Sequence, residues 1–258
     1  MGLFSKLSTT VAASVVALGL TFSAPAANAG VIQLGFIMDS SGSIGSSNWN
    51  TIKGALANAV NTLVPTTGAY EISVVNFSST AVTTVNHVLI DSVAARTSVA
   101  NAINAMNFLN STTNMAAAFN AMGTALGGSM QMIDHSYVNL ATDGVPYGGS
   151  NPTGAAITAR DALITGGVDN ISIEAIGGGV DPAFLQNQIC YPGPCTVAPT
   201  YAFPGNGFYI PVANAAAYAS AIDNKLQVVT QQQVPEPGMA LIVALGVVGI
   251  AAARRKAA

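Results

Sequence analysis

The sequence predicts an α/β fold: a doubly wound, mostly parallel central sheet of about six strands with one antiparallel strand, and helices on both faces. Apolar runs of strand length recur along the chain, and apolar residues at helical spacing lie between several of them. This alternation is typical of βαβ units, in which helices cover both faces of the sheet. Two of the runs are too close together for a crossover helix, so they predict one antiparallel pair.

The strand-length runs lie at 31–38, 70–77, 82–90, 136–142, 170–176 and 207–212. Only about four residues separate the second run from the third, which is the length of a hairpin turn. The helix-period positions form four groups: Ile52, Leu56, Val60 and Leu63; Val99, Ile103 and Met106; Met115, Phe119, Met122 and Leu126; and Tyr218, Ile222, Leu226 and Val229.

Residues 1–29 are typical of a secretory signal peptide. Lys6 is followed by an apolar stretch at 11–22 and then by the small residues Ala27 and Ala29 around Asn28. The apolar stretch is too short to span a membrane, and the small residues mark a cleavage site. We expect cleavage after Ala29 and export, with a buried N-terminal helix as the alternative.

The C-terminal residues 234–258 combine three elements in a fixed order. Pro235, Glu236 and Pro237 precede an uncharged run at 239–253, and a basic cluster at 254–256 follows. As a helix, the uncharged run would extend about 22 Å, less than the roughly 30 Å hydrocarbon core of a bilayer. A plain single-pass transmembrane anchor is the alternative reading. The tail resembles the PEP-CTERM sorting signal, which implies processing by an exosortase, transient membrane contact through the tail, and delivery to the cell surface or extracellular matrix.

The charge of the chain changes when these ends are removed. The whole sequence has a net charge of −3 and is only 7% charged and 50% hydrophobic. Between residues 30 and 234, four basic residues face ten acidic ones, so this body carries a net charge of −6. An acidic body with so few basic residues excludes a nucleic-acid-binding surface.

We expect residues 30–232 to form one domain with a Pro-rich insertion at 188–207. The insertion contains the only two cysteines, Cys190 and Cys195. In an exported protein these cysteines are expected to form a local disulfide. Because the enclosed loop is small, the disulfide should stabilise the fold at the low end of about 2–4 kcal/mol.

Polar residues follow the predicted strands at the edge of the sheet where ligands usually bind. Asp39, Ser41 and Ser43 follow the first strand, and Asp143 follows the strand at 136–142. A polar loop at 110–114 leads into a helix. Carboxylate and hydroxyl oxygens without His or Cys favour Mg²⁺, Mn²⁺ or Ca²⁺ and argue against a typical zinc site.

These motifs resemble the metal-ion-dependent adhesion site of the von Willebrand factor type A domain. That site combines Asp-x-Ser-x-Ser, a Thr on a later loop and an Asp on a Thr-Asp-Gly turn. The resemblance covers roughly residues 31–230 and implies that the metal ligands are Asp39, Ser41, Ser43, Thr113 and Asp143. Thr112 is an alternative to Thr113, and Met115 stands where many members have a second Thr.

The resemblance implies a binding function. Neutral hydroxyl ligands leave the bound ion electrophilic, so an acidic group of a protein or matrix partner can complete its coordination. We therefore expect a metal-dependent adhesion module, with a structural matrix protein that uses the metal only to stabilise its fold as the alternative.

A metal-dependent hydrolase is the less favoured alternative, and we expect no enzyme activity. Ser41 and Ser43 lack the flanking glycines of a nucleophile elbow, and His87 and His135 are isolated in sequence. The glycines at 177–179 lack the spacing of a dinucleotide site.

Overall fold

The computed structural model describes residues 30–198 and 202–231 and contains a seven-stranded sheet in the order β3-β2-β1-β4-β5-β7-β6. Only the β2–β3 pair is antiparallel, which confirms the predicted fold class. The strands are β1 (Val31–Asp39), β2 (Tyr70–Phe77), β3 (Ala81–Leu89), β4 (Ile133–Thr142), β5 (Asn170–Ile176), β6 (Thr196–Val197) and β7 (Phe208–Val212).

Helices cover both faces of this sheet. One apolar cluster joins the sheet to α1, α2 and α6, and a second joins its other face to α3, α4 and α5. The helices are α1 (Ser46–Leu63), α2 (Val93–Asn104), α3 (Met115–Gly127), α4 (Pro152–Thr165), α5 (Pro182–Phe184), which continues into a π-helical turn at Leu185–Ile189, and α6 (Tyr218–Gln231), which follows a 3₁₀ turn at Ala215–Ala217.

Three elements, α4, α5 and β6, were not predicted from the sequence. The buried face of α4 consists of Ala156, Ala159 and Leu163, so its apolar periodicity is weak. Its start was nevertheless readable, because the Asn151 side chain accepts a hydrogen bond from the Gly154 amide and Pro152 follows at the first helical position. Strand β6 has two residues and leaves no detectable pattern.

The described chain begins and ends at the same edge of the sheet. The Gly30 amide donates to Asp134 Oδ2 at 2.7 Å, beside the first residues of β1 and β4. At the end of α6, the Thr230 carbonyl accepts a hydrogen bond from the hydroxyl of Tyr70, the first residue of β2. The opposite edge, formed by the last residues of the parallel strands, is therefore remote from the first and last residues of the described chain.

The Pro-rich segment lies beside β5 and β7. Cys190 and Cys195 form a disulfide with 6.2 Å between their Cα atoms, and Cys190 is buried. The Tyr191 backbone exchanges hydrogen bonds with Ile171 at the start of β5. The described part of this segment therefore adds β6 to the sheet beside β7 and pairs Tyr191 with β5.

The predicted signal peptide at 1–29 and sorting tail at 234–258 lie outside the described residues, as does the predicted apolar helix at 239–253. Within residues 30–198 and 202–231, none of the helices combines the length and the apolar character needed to cross a bilayer.

Candidate metal site

Asp39 is the last residue of β1 and lies at the bottom of the candidate site. Its side chain is fully buried. One carboxylate oxygen accepts the Ser41 amide at 2.8 Å, and the other accepts the Thr142 hydroxyl at 2.7 Å. Because Thr142 ends β4, this contact ties together the ends of two adjacent parallel strands.

A chain of hydrogen bonds leads from the first loop to the second carboxylate. The hydroxyls of Ser41 and Ser43 are 3.1 Å apart, and Ser43 donates to Asp143 Oδ1 at 2.8 Å. The structure therefore brings together Asp39, Ser41, Ser43 and Asp143.

Thr113 approaches the same point from the loop before α3. A Cβ atom placed on Gly144 would lie 3.4 Å from Thr113 Oγ1 and 3.9 Å from Ser43 Oγ, so the two hydroxyls flank one position. Thr113 is buried, whereas Thr112 is exposed. Of the two candidate threonines, Thr113 is the one whose hydroxyl faces the cluster.

The loop that carries Thr113 is fixed by Ser78, which follows β2. The Ser78 hydroxyl accepts the Ser111 amide at 2.8 Å and donates to the Thr112 carbonyl at 3.1 Å. The Asn114 side chain then caps α3 by accepting the Ala117 amide at 3.1 Å. Thr113 is thus held between an anchored loop and a capped helix.

The cluster is buried on the side of Asp39 and reaches solvent on the side of Ser43. Asp39 and Ser41 are buried, Asp143 is half-buried and Ser43 is exposed. Behind Asp143, a Cβ atom on Gly179 would lie 2.5 Å from the Asp143 carbonyl oxygen, so only glycine permits this close backbone approach. The site is therefore accessible to solvent from the side of Ser43 and Asp143.

The electrostatics of the cluster are those of a cation site. Burial raises the pKa of Asp39 to about 6, with a smaller contribution from the Asp143 charge, although hydrogen bonds from Ser41 and Thr142 oppose the rise. Burial also raises the pKa of Asp143, against the opposing hydrogen bond from Ser43. The four described lysine and arginine side chains bond elsewhere, to Met106, Val64, Gln188 and Asn139. Two carboxylates and three hydroxyls without a basic partner fit a hard divalent cation.

Thr142 was not predicted as a partner of Asp39, although it belongs to the Thr-Asp-Gly turn. Two exposed residues beside the site were not predicted either: Val145 and Tyr147 expose 44% and 63% of their surface. The Tyr147 amide donates to the Thr113 carbonyl at 2.8 Å, which places Tyr147 next to the cluster. Trp49, near the start of α1, is a packing residue: it is buried, and its indole nitrogen donates to the Met106 carbonyl.

Solved structures with the same fold include proteins of threads and pili. Proximal thread matrix protein 1 from the mussel byssus is 18% identical with a TM-score of 0.58, and the alignment covers 78% of this chain and 46% of that one. The pilus adhesin SpaC from Lactobacillus rhamnosus GG is 11% identical with a TM-score of 0.62, covering 80% of this chain and 31% of that one. The chain therefore spans less than half the length of these two structures.

A third similar structure is the vWF domain of the type V pili tip protein Mfa5 from Porphyromonas gingivalis. It is 13% identical with a TM-score of 0.56, and the alignment covers 81% of this chain and 98% of that domain. A further structure of the mussel protein, with a TM-score of 0.54, has a zinc-occupied MIDAS motif, the metal-ion-dependent adhesion site.

No curated protein sequence matches the chain significantly. Two family models do match it: the von Willebrand factor type A domain over residues 33–198 and the PEP-CTERM protein-sorting motif over residues 233–256. The first of these covers more than half of the chain and includes every residue of the candidate metal site. The chain therefore belongs to the von Willebrand factor type A domain family and carries a C-terminal PEP-CTERM sorting motif.

Proposed function

We propose that this protein is an exported, metal-dependent binding module of the bacterial cell surface or extracellular matrix. The observation that carries the proposal is the cluster of Asp39, Ser41, Ser43, Thr113 and Asp143, which opens to solvent at the edge of the sheet where the strands end. The sorting motif supports delivery to the surface and processing by an exosortase.

These five residues would hold a Mg²⁺ ion, with Mn²⁺, Ca²⁺ or Zn²⁺ as alternatives to be tested. A bound ion supplies a Lewis-acidic point that an acidic side chain of a partner can bind. Asp39 and Ser41 form the buried part of the ligand set, whereas Ser43 and Asp143 form the exposed part. Tyr147, which exposes a large apolar ring beside the cluster, would contact the partner directly.

We favour binding over catalysis because the described histidines lie in other environments. His87 Nδ1 is 3.2 Å from the Ala125 carbonyl oxygen, and His135 Nδ1 is 3.4 Å from Asp169 Oδ2. Neither ring makes a contact that could activate Ser41 or Ser43 as a nucleophile.

The proposal is tested by retention of the purified full-length protein on the surface fraction of the producing cells. Retention should require Mg²⁺, disappear with chelator and return when the ion is restored. Asp143→Asn should abolish it, whereas Asp134→Asn, which changes an exposed acid at the other edge of the sheet, should leave it intact.

Retention that ignores chelator and survives Asp143→Asn would contradict this function. It would favour a matrix protein whose metal only stabilises the fold. Tyr147→Ala should weaken retention without changing metal affinity, which separates partner contact from metal binding.

A further inference from the structure

Three polar side chains are buried together beneath α6, away from the metal site. Lys225, Asn139 and Glu174 are 6%, 3% and 0% exposed. Lys225 Nζ donates to Asn139 Oδ1 and lies 3.6 Å from Glu174 Oε1. An amine, a carboxamide and a carboxyl group therefore meet inside the apolar core.

The three side chains come from three different elements, β4, β5 and α6. Asn139 pairs with Ser172 and Ala141 pairs with Glu174, so Asn139 and Glu174 are two residues apart on adjacent strands and point to the same face of the sheet. Lys225 lies on the buried face of α6, beside Ile222 and Leu226. Lys225 points down onto the two strands.

The cluster is poorly satisfied as an ordinary buried ion pair. Within the described residues, neither carboxylate oxygen of Glu174 nor Asn139 Nδ2 makes a hydrogen bond of ordinary length and angle, although Asn139 and Lys225 lie close enough to lower the pKa of Glu174. A buried charge pair is favourable only when its remaining polar atoms are also hydrogen-bonded. Buried polar groups without hydrogen bonds are rare in native cores, and one common reason for them is that the groups take part in chemistry.

Burial favours the uncharged forms of both ionisable groups. It lowers the pKa of Lys225 to about 8, although the nearby Glu174 charge opposes the shift. It also raises the pKa of Glu174, with the Lys225 charge as the main opposing effect. Lys225 Nζ also lies 5.9 Å from the centre of the Phe208 ring, a contact that favours the charged amine and so opposes the shift of the Lys225 pKa. A neutral amine is a nucleophile, and a protonated carboxyl can donate a proton.

We propose that Lys225 and Asn139 become joined by an intramolecular isopeptide bond, with Glu174 as the proton carrier. The lone pair of Nζ attacks Asn139 Cγ, and a C–N bond forms. Glu174, protonated at the start, delivers its proton to the Nδ2 group, which leaves as ammonia when its bond to Cγ breaks, and the Glu174 carboxylate then accepts one proton from Nζ. Glu174 ends in its initial protonation state, and no oxidant, reductant or other co-reactant is needed.

Forming the bond removes the cost of burying an ionisable amine in the apolar core. An amine that burial keeps from holding its charge and a carboxamide become one amide that has no charge to bury. The bond also joins residues 86 positions apart in sequence and fastens α6 covalently to β4.

Tryptic peptide mapping of the purified full-length protein tests the bond. Trypsin cleaves after Arg96, Arg160 and an unmodified Lys225, so an unlinked chain yields separate peptides 97–160 and 161–225. In the linked protein, cleavage at Lys225 is blocked, and peptide 97–160 is attached to the peptide that begins at Asp161. The mass of the pair should be lower than the sum of its parts by one ammonia, about 17 Da.

Variants assign the roles of the three residues. Lys225→Met and Glu174→Gln should each restore the full mass and remove the branched peptide, whereas Lys53→Arg, which changes the other lysine of the described chain, should retain it. Separate peptides 97–160 and 161–225 from folded wild-type protein would overturn the proposal. A branched peptide that persists in Glu174→Gln would overturn the role of Glu174.

Discussion

The Ser43 hydroxyl donates to Asp143 Oδ1 at 2.8 Å, and this hydrogen bond joins two loops that are 100 residues apart in sequence. The parallel pairing of β1 with β4 makes the contact possible because it places the ends of both strands side by side. The pairing of β1 with β4 therefore sets the distance between the two loops of the candidate metal site.

Metal binding should stabilise the fold through the two carboxylates. At a Mg²⁺ concentration 100 times the Kd, the free energy of unfolding should rise by about 2.7 kcal/mol. This corresponds to an increase in Tm of about 5–10 °C for a domain of this size. Asp39→Asn and Asp143→Asn should each abolish the increase in differential scanning calorimetry, and Asp134→Asn should preserve it. A full increase in both site variants would show that the ion binds elsewhere.

Thr113 should matter more than Thr112. Its hydroxyl faces the cluster, whereas Thr112 is exposed and only its carbonyl bonds to Ser78. Thr113→Ala should therefore weaken Mn²⁺ affinity by about tenfold or more in calorimetric titration, a typical effect of disturbing a metal site. Thr113→Ser retains the hydroxyl and serves as the control. A larger loss in Thr112→Ala would reverse the assignment.

The metal-free protein should lose stability as the pH rises from about 4 to about 6. The pKa of Asp39 is about 6 in the folded protein and 3.8 in its ordinary state, so the folded state binds more protons in this range. Ionising Asp39 should cost about 3 kcal/mol over the range. Urea unfolding in the presence of chelator, repeated at several pH values, measures this loss. In Asp39→Asn the free energy of unfolding should fall less steeply with pH. A stability that rises through this range in wild type and variant alike would contradict the prediction.

The disulfide should make a small contribution to stability. Cys190 and Cys195 are five positions apart, so their bond restricts the unfolded chain only slightly. The double variant Cys190→Ala with Cys195→Ala should lower the free energy of unfolding by about 2 kcal/mol, partly through lost packing of the buried Cys190. Its Mg²⁺ affinity should equal that of the wild type. A large loss of metal affinity would mean that this segment positions the site.

The mature protein should lack the sorting tail. Intact-mass measurement of the form released by the producing cells should give a chain that begins at Gly30 and ends near Glu236. Glu236→Ala should block processing, and the released form should then be lost. A released protein that still contains residues 239–253 would contradict the processing and favour a membrane anchor.

The sequence predicted β1, β2 and β5 well because each is a mostly apolar run that is buried along its whole length. Apolar patterning did not reveal α4, because its buried face is mostly alanine, or β6, because it has only two residues. Asp39, Ser41, Ser43 and Asp143 could be placed together because they follow strand ends, and the resemblance to the von Willebrand factor type A domain implied Thr113 as the fifth member. The cluster of Lys225, Asn139 and Glu174 was not predicted, because three elements distant in sequence form it. Its one local signal is Lys225, a charged residue on the apolar face of α6.

Both ends of the described chain lie at one edge of the sheet, and the candidate metal site lies at the other. A protein held to a surface through the C-terminus that processing leaves would therefore present the candidate metal site away from that surface. Any pull between a bound partner and the attachment point would pass along the length of the sheet through its central strands. Because α6 is the last described element before the C-terminus, such a pull would act on it first, and the proposed bond from Lys225 to Asn139 would pass the pull directly to β4.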